Sequence, residues 1–442
     1  MFERSSSSVR FALRALASRN YRLFFGGQVV SLVGTWMTTT ATNWLVYRLT
    51  GSALLLGVIA FASQIPAFLL GPFAGIVVDR WDRHRLLVIT QAISMVQSLV
   101  LAALVLSGRI TIEWIVALSM VQGLVNAFDM PGRQAFLHTM IENKEDLGNA
   151  IALNSSMVNL ARLVGPSIAG VVIATMGEGW CFLIDGVSYI AVLVALLRMR
   201  IARSAAAPSP RRNAMEQFIE GFRYAFGFRP IRSIILLLAL VSLVGVPYSV
   251  LMPVFATTVF HGGAHTLGIL MTSSGCGALL GALWLAGRRS ILGLGRVIPS
   301  ASVLFGLGLI VFSFAQVLWL AIPCLVVAGF GFMVQMASSN TVIQTIVDDE
   351  KRGRVMSFYM MAFLGTAPFG SLLAGWLSSR IGADHTLFGG GVCCIVAGLW
   401  FARSLPAIRA AVRPIYMRLG ILPEISSGLA TASAVSVPPE QN

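Results

Sequence analysis

Apolar residues in this chain run in long, nearly unbroken stretches. They lack the alternation of a half-buried strand and the one-sided stripe of a soluble helix. About 20 such residues are needed for a helix to cross a bilayer. Stretches of that kind fall near 23–47, 54–78, 86–107, 112–137, 149–175, 180–200, 232–258, 264–287, 297–316, 318–344, 355–378 and 385–403. The pattern predicts an all-α integral membrane protein with twelve transmembrane helices. The fourth, fifth and tenth stretches are the most polar, holding Asn126, Asp129, Asn154, Asn159, Arg162, Gln335 and Asn340. Lipid cannot solvate so many polar groups, so these faces are expected to look towards protein or water.

The polar intervals divide the chain. Residues 1–22 form a segment rich in arginine, without the short apolar core and cleavage site of a signal peptide. Residues 201–231 form the longest internal loop, in which Asn213 and Glu216 have capping-box spacing. Met215, Phe218, Ile219, Phe222 and Phe226 then recur at helical intervals. This predicts an amphipathic helix, either lying in the membrane interface or packed on the bundle. Residues 404–442 are expected to form an exposed tail.

The chain also repeats itself. Gly51, Ala53, Leu56 and Gly57 match Gly262, Ala264, Leu267 and Gly268 at an offset of 211, and Ser31 and Gly34 match Ser242 and Gly245 at the same offset. Gly165, Gly170 and Gly177 match Gly370, Gly375 and Gly382 at an offset of 205. The repeat predicts two pseudo-symmetric six-helix bundles, 23–200 and 232–403, with a binding cavity between them near the midplane.

Composition agrees with the pattern. Of 442 residues, 56% are hydrophobic and 11% charged, against about 25% charged in soluble domains. A soluble enzyme, a disordered chain and a nucleic-acid binder are thereby excluded as main readings. The net charge of +14 becomes informative once placed. With the N-terminus inside, 28 of 32 basic residues fall on the cytoplasmic side, Arg48, Arg109 and Arg380 fall opposite, and Arg162 lies within a span. That bias predicts a multi-pass protein of the inner membrane with both termini cytoplasmic. Five cysteines, all in apolar stretches and without CxxC spacing, indicate neither a disulfide framework nor a metal site. No phosphate-binding loop of the GxxxxGK[ST] type occurs, so ATP drive is not encoded. No cofactor is expected.

The loop after the second span carries Gly75, Asp79, Arg80, Arg83 and Arg85. It resembles the signature of the major facilitator superfamily, in which such a cluster gates one of two rocked states. The superfamily usually has glycine where Asp82 stands, and the ungapped second-half counterpart of Asp79 is Ser290. Gly165, Pro166 and Gly170 in the fifth span resemble the superfamily's antiporter motif, with alanine at positions 152, 161 and 169 where glycine is common. The segments around Gly34–Met37, Trp44–Ser52, Pro131–Ala135, Ala150–Ser155 and Arg352–Ser357 are similar to the enterobactin-exporter-like and macrolide-efflux-like branch. The resemblance spans roughly residues 15–405. It implies a monomeric secondary transporter that exports a small molecule, with protons as coupling ion. One departure concerns the coupling machinery: the arginine that many proton antiporters carry three residues before Gln-Gly is Ser119 here, ahead of Gln122 and Gly123.

Three ionisable residues remain inside spans: Asp129, Arg162 and Asp185. A charge at a helix centre costs about 2.5–3.5 kcal/mol on insertion scales, so each needs a partner. Asp129 and Arg162 are expected to pair in one state and separate in the other, leaving Asp129 free to take the coupling proton. A permanent structural pair is the alternative, and Asp185 reads as structural. The cavity is expected to be lined by spans 1, 4, 5, 7, 8, 10 and 11. Coupling or substrate candidates there are Asp129, Arg162, Asn126, Asn159, Asn43, Gln335 and Asn340, together with Gln28 and Trp36. Competing readings are an importer or lipid flippase on the same fold, and a membrane scaffold or sensor. Paired acids, a histidine cluster and a nucleophile elbow are not evident, so an enzyme is disfavoured.

Overall fold

A computed structural model describes residues 13–200, 214–288 and 290–421. Every regular element among them is helical. In chain order these are α1 (Arg19–Thr50), α2 (Ala53–Arg80), α3 (Arg83–Leu106), α4 (Ile112–Met140), α5 (Leu147–Met176), α6 (Glu178–Leu197), α7 (Ala214–Gly227), α8 (Arg229–Val244), α9 (Tyr248–Val254), α10 (Ala264–Ala286), α11 (Leu294–Ser313), α12 (Leu318–Ile346), α13 (Asp349–Leu364), α14 (Ala367–Ile381) and α15 (Ala383–Arg418). Ten segments among the described residues are long and apolar enough to cross a membrane. The stretches α8 with α9, and α13 with α14, each count as one of them. Helices α1 and α4 have the length, at 32 and 29 residues, but their polar residues dilute them.

Short caps end the long helices. Gly51, at φ 61°, closes α1, its N–H donating to Tyr47 O at 2.7 Å. The Ser52 hydroxyl then accepts from Leu55 N to start α2. Gly177 between α5 and α6, and Gly382 between α14 and α15, have φ of 93° and 92°. They are the two glycines of one repeat pair, so the same turn recurs at the offset of 205.

Two predicted spans are broken near their middles. The stretch near 232–258 stops at Val244, passes through Gly245, Val246 and Pro247, resumes as α9, and ends in a π-helical turn, Phe255–Val259. The stretch near 355–378 stops at Leu364 and resumes at Ala367 ahead of Pro368. Pro247 and Pro368 lack the N–H that would continue the helical hydrogen bonding to Leu243 and Leu364, and each break also holds a glycine, Gly245 or Gly365. The two breaks are stitched together. The Ser242 hydroxyl donates to Phe363 O at 2.7 Å, and Thr366 donates to Ala239 O at 3.2 Å. By contrast, Pro131 in α4 and Pro166 in α5 leave their helices continuous.

Helices α1 to α6 pack on one another, chiefly α1 on α5 and α6, α2 on α4, and α3 on α4 and α6. In the second half α12 packs on α10 and α11, and α15 on α8 and α11. The halves meet along α5 with α10 and α2 with α14. These crossings are backbone to backbone. A Cβ built on Gly57 would lie 2.5 Å from Ser371 O, and one on Gly375 would lie 2.6 Å from Ala53 O. At the other crossing, Gly268 would meet Pro166 O at 2.9 Å and Gly170 would meet Ala264 O at 3.1 Å. Each residue of the first crossing has its repeat counterpart in the second: Gly57 with Gly268, Ala53 with Ala264, Ser371 with Pro166, and Gly375 with Gly170. Both crossings lie towards the end that carries the Gly51, Gly177 and Gly382 turns, here termed the turn end. The opposite end, with α7 and the starts of α1 and α5, is the linker end.

Two boundary expectations change. The N-terminal segment is tied down from Arg14: Arg14 pairs with Asp146 at 3.1 Å, and the buried Tyr21 hydroxyl donates to Ala150 O. The tail expected from 404 is helical as far as Arg418, because Ile408 and Val412 still bury an apolar face. Helix α7 packs on α13: Phe226 meets Phe358 edge-on, and Glu220 pairs with Arg354 at 2.7 Å. Its Ile219 and Phe222 nevertheless stay exposed. Asn213 and the Glu216 side chain lie outside the described residues.

Candidate functional site

In the loop motif, Gly75, Asp79 and Arg80 fall in the last turns of α2, and the side chains of Asp79 and Arg80 lie outside the description. Asp82, in the place of the usual glycine, caps α3: its carboxylate accepts from His84 N at 2.9 Å and Arg85 N at 3.1 Å. The departure from the family pattern thus has a local cause. A carboxylate at a helix N-terminus satisfies orphan N–H groups and faces the positive end of the dipole. Arg83 is half-buried and Arg85 exposed in that first turn.

Asp129 is buried on α4, and its oxygens are fully engaged. Thr90 and Gln91 of α3 donate to Oδ1 at 2.9 and 2.7 Å. Arg133, one turn along α4, takes Oδ2 through Nε at 2.9 Å and through a second, shorter contact from its Nη2. The expected partner, Arg162, is not brought to Asp129. Arg133 had counted as a cytoplasmic charge, whereas α4 continues through Pro131 to Met140 and places Arg133 on Asp129's own face. The spacing of four residues was the available signal.

Arg162 sits on α5 with its guanidinium carbon 5.1 Å from the Trp36 ring centroid of α1. Its Nε is buried and has no acceptor. Its backbone lies against Gly275 of α10, and within electrostatic reach in the second half is Tyr248, at the start of α9, whose hydroxyl shares a short hydrogen bond with Ser274 of α10. Arg162 therefore lies where the two halves face each other. Sequence reading missed Tyr248, although the Gly245–Pro247 break that presents it was visible as a Gly/Pro pair.

Asp185 on α6 is buried and takes hydroxyl donors on Oδ2, from Thr38 at 2.9 Å and Ser98 at 3.1 Å. Its Oδ1 faces Gly34 and has no donor. A side chain at Gly34 would strike it. The antiporter-like motif serves helix crossing: Gly165 lies against Trp36 Cβ and Val33 O of α1, while Pro166 and Gly170 meet α10. Ser167 and Thr272 add a 2.6 Å hydrogen bond across that seam. Beside it lies a largely apolar cavity of about 290 Å³ reaching from His265 to Cys276 and bounded by Ile322 and Val326 of α12.

The amide candidates are scattered. Asn126 accepts from Gln122, which also reaches Ser94. Asn159 donates to Ser155 O on its own helix, and Asn340 accepts from Gln344 on its own helix. Asn43 is half-buried. Gln335 and Gln28 are buried, and neither amide group of Gln335 has a protein partner. Among the described residues no hydrogen bond links these amides to Arg162.

The sequence profile of the family described as "Transmembrane secretion effector" matches residues 11–417. The chain belongs to that family. Among relatives, the staphyloferrin A transporter of Staphylococcus aureus is 29% identical over 385 residues, covering 86% of this chain and 95% of the relative. The multidrug efflux pump Tap of Mycobacterium tuberculosis is 27% identical over 397 residues, covering 86% and 92%. Macrolide efflux protein A of Streptococcus pyogenes is 21% identical over 379 residues, covering 83% and 92%. In fold, the chain is similar to a bacterial homologue of the lysosomal transporter Spinster in an inward-facing conformation, with TM-score 0.68, 15% identity, and 90% and 98% of the two chains covered. A peptide transporter of the POT type gives TM-score 0.72 at 11% identity, covering 89% and 95%. The chain is therefore a multi-pass membrane transporter of the major facilitator superfamily, and not an enzyme.

Proposed function

We propose that the protein exports an amphipathic small molecule, siderophore-like or drug-like, across the inner membrane by alternating access in exchange for protons. In this reading twelve spans form two pseudo-symmetric six-helix bundles, and the protein acts as a monomer with both termini in the cytoplasm. One observation carries it. The two glycine crossings between the halves are repeat counterparts, and both lie at the turn end. Paired crossings of this kind suit a pivot about which one half rocks against the other. The relatives' names, a siderophore transporter and two efflux proteins, support the substrate range and direction.

Asp129 is the proposed coupling carboxylate, with Arg133 in the role expected of Arg162. A rearrangement within the first half, accompanying the rocking, that withdraws the Thr90 and Gln91 donors of α3 and turns Arg133 away would leave a carboxyl able to take a proton. The test is efflux of siderophores, macrolides and dyes from cells with and without the protein. Export should collapse when an ionophore removes the proton gradient. Asp129→Asn should slow export and flatten its pH dependence. Export that survives the ionophore unchanged would rule out antiport.

A further inference from the structure

We propose that Arg162 is the anchor for an anionic group of the transported molecule, a carboxylate foremost, and that the site selects against cations. This rests on the transport reading above but not on the direction of transport. An arginine cannot shed its charge as a buried acid can, so a guanidinium within a membrane protein needs a counter-charge or water. The interior acids already have partners, a cation for Asp129 and Glu178 and hydroxyl donors on one oxygen of Asp185. Asp129 is occupied by Arg133, Thr90 and Gln91. Glu178 is held by Arg48 at 2.7 Å, near the turn end. Asp185 takes Thr38 and Ser98. Among the described residues no carboxylate lies within ion-pair distance of Arg162, and its buried Nε has no acceptor.

The surroundings narrow the ligand further. The guanidinium carbon lies 5.1 Å over the Trp36 ring, so one side of the group is taken by the indole and its N–H donors are left for a planar acceptor. A carboxylate matches those donors with two parallel hydrogen bonds. Trp36 supplies aromatic surface beside the charge, so the ligand should carry an apolar or aromatic body next to its acid. A cationic amphiphile would meet the same ring and an unscreened positive charge, and would bind there more weakly than the matching acid.

The test uses the full-length protein in lipid nanodiscs and three probes of one shape: 2-naphthoate, 2-naphthamide and 2-naphthylmethylammonium. Binding is read by calorimetry. The wild type should bind the carboxylate about ten- to hundredfold more tightly than the amide, as expected for charge-assisted hydrogen bonds, and should bind the ammonium weakest. Arg162→Gln should bind naphthoate and naphthamide alike, Arg162→Lys should restore part of the preference, and Arg162→Glu should favour the ammonium. Unchanged amide binding by Arg162→Gln certifies its fold. If that variant fails to fold, partial retention of the preference in Arg162→Lys and rising chloride competing with naphthoate in the wild type keep the question decidable. Wild-type preference for the ammonium, or an anion preference that survives Arg162→Gln, would overturn the proposal. Anion-selective binding without efflux from cells would instead overturn the export reading alone.

Discussion

Asp82 illustrates how one residue departs from a family pattern for a local physical reason. It gives α3 a cap that glycine cannot supply. Asp82→Ala should lower stability by about 1 kcal/mol, and Asp82→Gly by only a few tenths, as read by thermal unfolding in detergent. Arg133 and Asp129 make a stronger case. Arg133→Met would leave a buried carboxylate without its cation, at a cost of about 3 kcal/mol. Adding Asp129→Asn should recover most of that loss, and the double-mutant cycle measures the coupling. A double variant no better than Arg133→Met would mean that Arg133 stabilises α4 by packing alone. The existence of buried charges at 129, 162 and 185 was legible from the sequence, because charges in apolar runs stand out. Their partners were not. Arg133 was counted among the cytoplasmic charges although the stretch near 112–137 contains it, because the orientation tally and not its spacing from Asp129 decided its place.

At the scale of elements, the repeat was legible as a list of matched glycines, and the structure gives those glycines a purpose. Gly57 with Gly375, and Gly170 with Gly268, let backbones of opposite halves touch. The offsets pair each residue with its counterpart in the other half, but which residues touch across the seam depends on how the helices rotate, which periodicity does not specify. The broken spans were half legible: Gly245 with Pro247, and Gly365 with Pro368, are turn signals inside apolar runs. Length alone favoured continuous helices there. Val at Gly268 or Gly57 should cost about 1–3 kcal/mol through overpacking, and similarly at both positions because they are repeat counterparts. Gly26→Ala is the control. Nothing lies within 4 Å of a Cβ there, so it should be neutral or stabilising by up to about 1 kcal/mol. Thermal unfolding of the purified variants checks all three; a harmless Gly268→Val would mean that the seam is looser than its contacts imply.

For the molecule as a whole, the charge excess of +14 is a statement about orientation. The linker end carries Arg83, Arg85, Arg198, Arg200, Arg229 and Arg232 among others. At the turn end Arg48 is neutralised by Glu178, leaving Arg109 and Arg380. If basic residues stay in the cytoplasm, the seam formed by the glycine crossings closes the outer side, and any opening lies inward. Single cysteines in a variant lacking the five native ones can check this. Ser290 and Ser107 suit the purpose, because both are exposed and stand at the linker and turn ends respectively. In right-side-out vesicles a membrane-impermeant maleimide should label Ser107→Cys and spare Ser290→Cys, and inverted vesicles should reverse the result. Asn340→Cys, half-buried on the inner stretch of α12, adds the mechanical test. It should react from the cytoplasmic face when the transporter is empty, and more slowly when substrate and a proton gradient drive the rocking. Labelling of Ser290→Cys from outside would invert the topology, and with it the inference that this conformation opens to the cytoplasm.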